Sequence, residues 1–247
     1  MANLVIDIGN TYTKIALFKH NEIVYAQQFI DPKIDTLERL LNRDNPEKVI
    51  ISSVKKDKEE WEIALQEKIP LVYFNTEMTT GITNHYLTPN TLGLDRLAAV
   101  IGASHLYPGK NVLIIDGGTC ITYDFVDAGA NYYGGSISPG LNMRYKALNY
   151  YTSGLPLVKE CSAFDATYGN DTQNAILSGV QNGLKYELTG FIGTYKQNEQ
   201  EFKIILTGGD SIFFDTLLKN SIFAPYIKIE PNLVLKGLNA AILNNND

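Results

Sequence analysis

Asp7-Ile8-Gly9-Asn10-Thr11 stands between two apolar runs, and Asp116-Gly117-Gly118-Thr119 repeats that setting later in the chain. A glycine turn lets backbone N–H groups come close to an anion. Asn10, Thr11 and Thr13 add side-chain donors, and Lys14 adds positive charge. Asp7 would repel a phosphate directly, yet it can hold a hydrated magnesium ion that bridges to one. Each run is thus either a metal–phosphate arrangement or a plain hairpin turn, where Gly, Asn and Asp are common. Two such turns, one per lobe, could close on a nucleotide polyphosphate from opposite sides, since ligands commonly sit between domains. Thr207-Gly208-Gly209-Asp210 is a third glycine turn after an apolar run. It offers a surface for an adenosine ring or simply joins a strand to a helix. Walker A and G-x-G-x-x-G patterns are both missing from the sequence, which disfavours P-loop and Rossmann sites.

Phosphorylating an alcohol needs positioning, charge neutralisation and somewhere for the hydroxyl proton to go. Asp95 suits the last task, at the expected start of a helix and beside Arg96. The bland alternative is an N-cap aspartate with an exposed arginine. Arg96 has a planar, permanently charged guanidinium that suits a carboxylate or phosphate. Cys120 and Cys161 with His20, His85 and His105 are too few and too scattered for a zinc site or a disulfide framework. None of the histidines is assigned a role. Trp61 reads as packing.

The elements that must hold these residues alternate between strand and helix patterns, which favours an α/β fold. Strands are expected at Leu4–Ile6, Tyr12–Phe18, Glu22–Phe29, Lys48–Ser52, Val112–Ile115, Ile121–Val126, Tyr133–Ile137 and Lys203–Leu206. Helices are expected at Asp35–Leu41, Lys58–Lys68, Asp95–Leu106, Asn170–Tyr195 and Asn232–Leu243, with another from Pro139 to about Tyr150. The recurrence of strand, acid, turn and hydroxyl reads as an internal duplication. It divides the chain into lobes at 1–111 and 112–247. The run Lys55–Glu60 mixes signs and reads as a solvated face, and Asn244–Asp247 should fray.

Composition narrows the class. The 247 residues carry a net charge of −6, which argues against a general nucleic-acid partner. No apolar run approaches the ~20 residues of a membrane span. Two free cysteines and no signal pattern point to the cytoplasm.

The ordered motifs resemble the type III pantothenate kinases of the acetate/sugar kinase, Hsc70 and actin superfamily. They are Asp7–Thr11, the run Tyr86–Arg96 with its Gly93-Leu94-Asp95-Arg96, Asp116–Thr122, Gly134–Gly140, Gly169–Thr172, Thr207–Asp210 and Asn232–Leu238. The second turn departs slightly from the family, which often has Asp-Ala-Gly-Thr-Ala there. The resemblance implies two duplicated ribonuclease-H-like lobes with the active site in the cleft between them. It implies transfer of the γ-phosphate of ATP to pantothenate, giving 4′-phosphopantothenate, the first step of coenzyme A biosynthesis. By the same resemblance Asp95 accepts the proton, and Tyr86, Gly93, Leu94, Asp95, Arg96 and Thr172 bind pantothenate. Asp7, Ile8, Gly9, Asn10, Thr11, Tyr12, Thr13, Lys14 and Thr119 would contact ATP. Asp116 would serve a monovalent cation, potassium or ammonium, and magnesium would accompany the nucleotide. A homodimer is implied, with the Asn170–Tyr195 helix as the candidate interface. Two rivals are another small-molecule kinase of the superfamily and a nucleotide-binding regulator on the same fold. The Tyr86–Arg96 run weighs against the first. An intact Asp95 and intact phosphate turns weigh against the second.

Overall fold

Apolar runs bounded by turns produce the central strands. β1 (Ala2–Ile8) pairs antiparallel with β2 (Thr13–Lys19), which pairs antiparallel with β3 (Glu22–Phe29). His20 and Asn21 take left-handed backbone between β2 and β3, as a two-residue hairpin loop requires. After α1 (Ile34–Asp44), β4 (Lys48–Ser53) lies parallel to β1. After α2 (Glu60–Gln66), β5 (Leu71–Tyr73) lies parallel to β4. The sheet order is β3-β2-β1-β4-β5. Leu4, Val5 and Ile6 are fully buried, as a central strand covered on both faces demands. Leu37, Leu40, Trp61 and Leu65 pack from the helices onto Leu4, Ile6, Ile15 and Leu17. β6 (Thr83–Asn84) and α3 (Leu94–Leu106) follow. The computed structural model describes residues 2–55, 58–78, 80–196 and 201–245. Lys56 and Asp57 of the mixed-charge run, and Asn246 and Asp247 of the polar tail, lie outside them.

The second sheet repeats the first. β7 (Asn111–Gly117) pairs antiparallel with β8 (Cys120–Val126), and β9 (Asn131–Pro139) is next in order. Then come α4 (Leu141–Tyr151), α5 (Thr172–Leu177), a single π turn (Ser178–Asn182) and α6 (Gly183–Tyr195). β10 (Phe202–Thr207) is parallel to β7. α7 (Ser211–Leu218) and β11 (Ile227–Ile229) complete it, with β11 parallel to β10. Five of its six strands, in the order β9-β8-β7-β10-β11, match β3-β2-β1-β4-β5 strand for strand, and β6 adds a sixth beside β9. The last helix is α8 (Leu233–Asn244). No helix among the described residues is long and apolar enough to cross a membrane.

The chain forms two compact units. The first comprises 1–108, 130–132 and 232–247, and the second 109–129 and 133–231. The expected boundary at 111/112 takes no account of 130–132 or of α8. Those residues join the first unit through the pairing of β6 with the start of β9 and through the packing of α8 on α3. Two element expectations need correction. Pro139 ends β9 instead of opening a helix, because Gly140 at the helix cap lies directly against the carbonyls of Gly118 and Thr119. The expected Asn170–Tyr195 helix starts at Thr172, where Asp171 caps it by accepting from the Asn174 N–H at 2.8 Å, and it is interrupted by the π turn.

One polar network ties the second unit together. Arg144 on α4 donates to Glu187 on α6 at 2.6 Å, and the Tyr123 hydroxyl of β8 donates to the same carboxylate at 2.8 Å. Burial works to raise the Glu187 carboxyl. Hydrogen bonds from Arg144, Tyr123 and Ser138 outweigh it and hold the group below the usual glutamate range. A carboxylate lowered by folding stabilises above its unfolded value and loses that contribution as pH falls through its folded value. Glu187→Gln should therefore cost about 2 kcal/mol near neutral pH, less than a fully buried pair because both side chains keep some exposure. That cost should shrink as the pH drops below the ordinary glutamate value of 4.5. Urea unfolding of both proteins across this range checks it, and a pH-independent difference would contradict it.

Candidate active site

The first unit supplies two groups of residues. Asp7 is the penultimate residue of β1, directly opposite Lys14 on β2 and beside Ser52 on β4. Between the strands, the Gly9 N–H donates to the Tyr12 carbonyl at 3.0 Å and closes the turn. Asn10, Thr11 and Tyr12 are exposed on it, while Ile8 and Thr13 are buried in the sheet. The two alternatives read from the sequence are therefore compatible in shape: a short hairpin loop whose tip, with Asn10 and Thr11, faces solvent.

The second group sits at the start of α3. Gly93 is the cap residue, Leu94 the first helical residue, and Asp95 and Arg96 follow. Asp95 is thus inside the first turn and not the cap. Its Oδ1 accepts from the Arg96 backbone N–H at 2.8 Å, one of the donors that a helix start leaves without an intrahelical partner. The carboxylate remains exposed. A Cβ at position 93 would stand 2.6 Å from Asp95 Oδ1, so any side chain there would push the carboxylate aside. Arg96 is buried, with its guanidinium 5.8 Å from the centre of the Tyr86 ring. That geometry is a cation–π contact, which orients a charge without consuming its N–H donors. Tyr86 is half-buried, and its backbone N–H donates to Asn84 Oδ1 at 3.0 Å.

In the second unit Asp116 holds the place that Asp7 holds in the first. It is penultimate in β7, opposite Thr122 on β8 and beside Thr207 on β10. The Gly118 N–H donates to the Cys120 carbonyl at 2.9 Å, and Thr119 is exposed at the tip. Gly208 follows β10 in left-handed backbone with φ of 82°, and the space where its Cβ would stand is filled by Asp116 Oδ1 and the Gly117 carbonyl. The third glycine turn therefore seats the second acid. Sequence spacing alone could not reveal this, because β10 reaches β7 only through the fold. Asp210, after that turn, donates its N–H to the Gly117 carbonyl at 3.0 Å. Burial, with Glu160 nearby, pushes its carboxyl up to about 6. Thr172 is exposed at the start of α5, in the second unit, whereas Tyr86 and Gly93–Arg96 are in the first.

No group of three or more His, Cys, Asp or Glu among the described residues is placed to hold a metal ion. Magnesium is often held by one or two carboxylates together with substrate phosphates and water. A single carboxylate at a strand end, beside an exposed turn, fits that donor set at both Asp7 and Asp116.

The comparisons agree across nearly the whole chain. A family model described as type III pantothenate kinase matches residues 3–194. A type III pantothenate kinase from Bacteroides fragilis is 44% identical over 246 residues, covering 99% of this chain and 98% of that protein. One from Christiangramia forsetii is 44% identical over 241 residues and covers 96% of each. Among solved structures, a Baf family transcriptional activator candidate from Campylobacter jejuni superposes with a TM-score of 0.62 at 18% identity, covering 98% of both chains. The activator of 2-hydroxyisocaproyl-CoA dehydratase from Clostridium difficile, solved with bound ADPNP, gives 0.55 at 11% identity, covering 99% of this chain and 96% of that one.

Proposed function

Because this chain belongs to the type III pantothenate kinase family and is a kinase, we propose a specific division of labour for phosphorylating pantothenate on the way to coenzyme A. Asp95 accepts the proton of the primary hydroxyl as that oxygen takes the γ-phosphate of ATP, giving 4′-phosphopantothenate. The observation that supports this most is the Asp95 carboxylate itself. One oxygen is engaged by the Arg96 N–H, and the group stays exposed at a helix start. The other oxygen is left to meet and orient the alcohol. A loose phosphoryl-transfer transition state asks little of the base, so orientation comes first and proton acceptance late.

Arg96 is matched to the pantothenate carboxylate by its planar, permanent charge, with Tyr86 offering a ring and a hydroxyl to an amphipathic substrate. Gly93 and Leu94 set the backbone beside it, and Thr172 adds a hydroxyl. The turn Asp7–Lys14 and Thr119 contact ATP. Asp7 would hold magnesium through water and Asp116 a potassium or ammonium ion. These ions, when bound, neutralise phosphate charge as it moves toward the leaving group. We place the enzyme in the cytoplasm as a homodimer. A groove of about 520 Å³ along α4 and the π turn, lined by Ala147, Leu148, Tyr151 and Val180, supports an apolar contact there.

A coupled assay of ADP release across pantothenate, common sugars and acetate tests the reading. Turnover is expected on pantothenate alone. Replacing potassium and ammonium by sodium should lower it about tenfold or more, as loss of a charge-neutralising group does. Turnover of a sugar but not of pantothenate would overturn the assignment, and full activity in sodium would remove the role of Asp116. A regulator on this fold would turn over none of them.

A further inference from the structure

Tyr86 is held from behind by residues that no substrate role covers. Tyr132 is fully buried, and its ring lies parallel to that of Tyr86, with 6° between the planes and 6.4 Å between the centroids. Offset stacking of this kind is a preferred arrangement of aromatic pairs. The same two stretches are stitched by backbone. The Thr83 N–H donates to the Ala130 carbonyl at 2.9 Å, and the His85 N–H donates to the Tyr132 carbonyl at 2.8 Å. A side-chain clasp lies alongside, with His85 Nε2 and Asn131 Oδ1 3.0 Å apart. The Tyr86 ring therefore leaves a pinned strand, rests on a ring with no room to move, and meets the Arg96 guanidinium.

We infer that Tyr132, together with the His85–Asn131 clasp, is a positioning element that fixes the Tyr86 ring and, through it, the Arg96 guanidinium for pantothenate. This rests on the reading of Tyr86 and Arg96 as pantothenate-binding residues. The physical reason is preorganisation: a ring and a charge already in place need not be ordered when substrate binds. The ring of Tyr132 carries the role, and its effect falls on pantothenate and spares ATP.

The test is steady-state kinetics on the intact enzyme. Tyr132→Leu should raise KM for pantothenate about tenfold, with KM for ATP unchanged and a smaller effect on kcat. Tyr132→Phe keeps the ring and should stay within about twofold of the parent protein. An unchanged pantothenate KM in folded Tyr132→Leu overturns the inference, as does an equal rise in Tyr132→Phe. Should Tyr132→Leu fail to fold, His85→Ala and Asn131→Ala remove the clasp at less buried positions. Each should raise the same KM about threefold, and parental values in both would overturn the inference. Tyr86→Ala separates the two layers. If it leaves pantothenate KM unchanged, the substrate reading falls and the inference with it. If it raises KM while Tyr132→Leu does not, only the positioning role falls. The double variant Tyr86→Ala/Tyr132→Leu should be no worse than Tyr86→Ala alone, and full additivity counts against the coupling.

Discussion

Asp95→Asn is expected to lower kcat by about a hundredfold to ten-thousandfold, with thermal stability and ATP affinity near those of the parent. The side chains have the same shape. The amide oxygen can still accept from the Arg96 N–H, so the contact at the start of α3 survives. What the amide cannot do is take the hydroxyl proton. The lower end of the range is the more natural outcome for a loose transition state, in which the proton moves late. Single-turnover and steady-state rates measure the loss, and calorimetric titration with ATP measures the retained binding. A kcat within about threefold of the parent would remove Asp95 from proton transfer. Loss of ATP affinity instead would mean that the helix start, not the proton, had been disturbed.

Gly237→Ala should destabilise the protein by about 3 kcal/mol, at the upper end of what inserting one methyl group into a tight contact costs. A Cβ at Gly237 would overlap the Ala98 carbonyl and stand 2.9 Å from the Gly102 nitrogen. The contact is reciprocal, because a Cβ at Gly102 would stand 2.5 Å from the Leu233 carbonyl. Backbone meets backbone here, so no side chain can swing away to relieve the strain. α3 and α8 would have to separate. Since α3 carries Asp95 and Arg96 in its first turn, activity should fall together with stability. Thermal unfolding measures the first and the coupled assay the second. A melting temperature within a degree or two of the parent would show that the two helices can part without cost.

Much of the fold was legible from elementary patterns. Leu4–Ile6, Val112–Ile115 and Lys203–Leu206 read as buried strands because the first two are continuously apolar and the third is so after its opening lysine, and each is fully or largely buried in its sheet. β5 and β11 escaped notice because three residues are too few to show a period. The π turn was overlooked because its trace is small: Ile176, Val180, Leu184 and Leu188 recur every four residues, wider than the 3.6 of an α-helix, yet i+4 steps are also ordinary in an α-helical stripe. The home of α8 was illegible for another reason. A helix pattern says that a face will be buried, not which unit will bury it. Residue types and turn grammar picked out Asp7, Asp95 and Asp116. The seating of Asp116 by Gly208 needed the pairing of β10 with β7. Tyr132 carries no sequence signal, because a buried aromatic on a strand looks like any other core residue.

The first unit is discontinuous: α8 belongs with it, yet lies beyond every residue of the second unit. Translation delivers residues in order, so the strands of β1–β5 and the nearly all-apolar body of α3 emerge long before their last partner. The stretch of α3 around Ala98 and Gly102, which α8 meets in the finished fold, must wait unsealed while the second unit is made and can fold, complete within its own segments. Assembly therefore finishes in the unit whose synthesis began first, with the late arrival of a helix that packs onto α3. A nascent chain stopped before Leu233 would hold the second unit whole and the Asp95 helix undocked. The end of α3 that carries Asp95 gains its helical partner only once α8 has been synthesised, and until then the apolar surface that α8 covers is a natural target of chaperones.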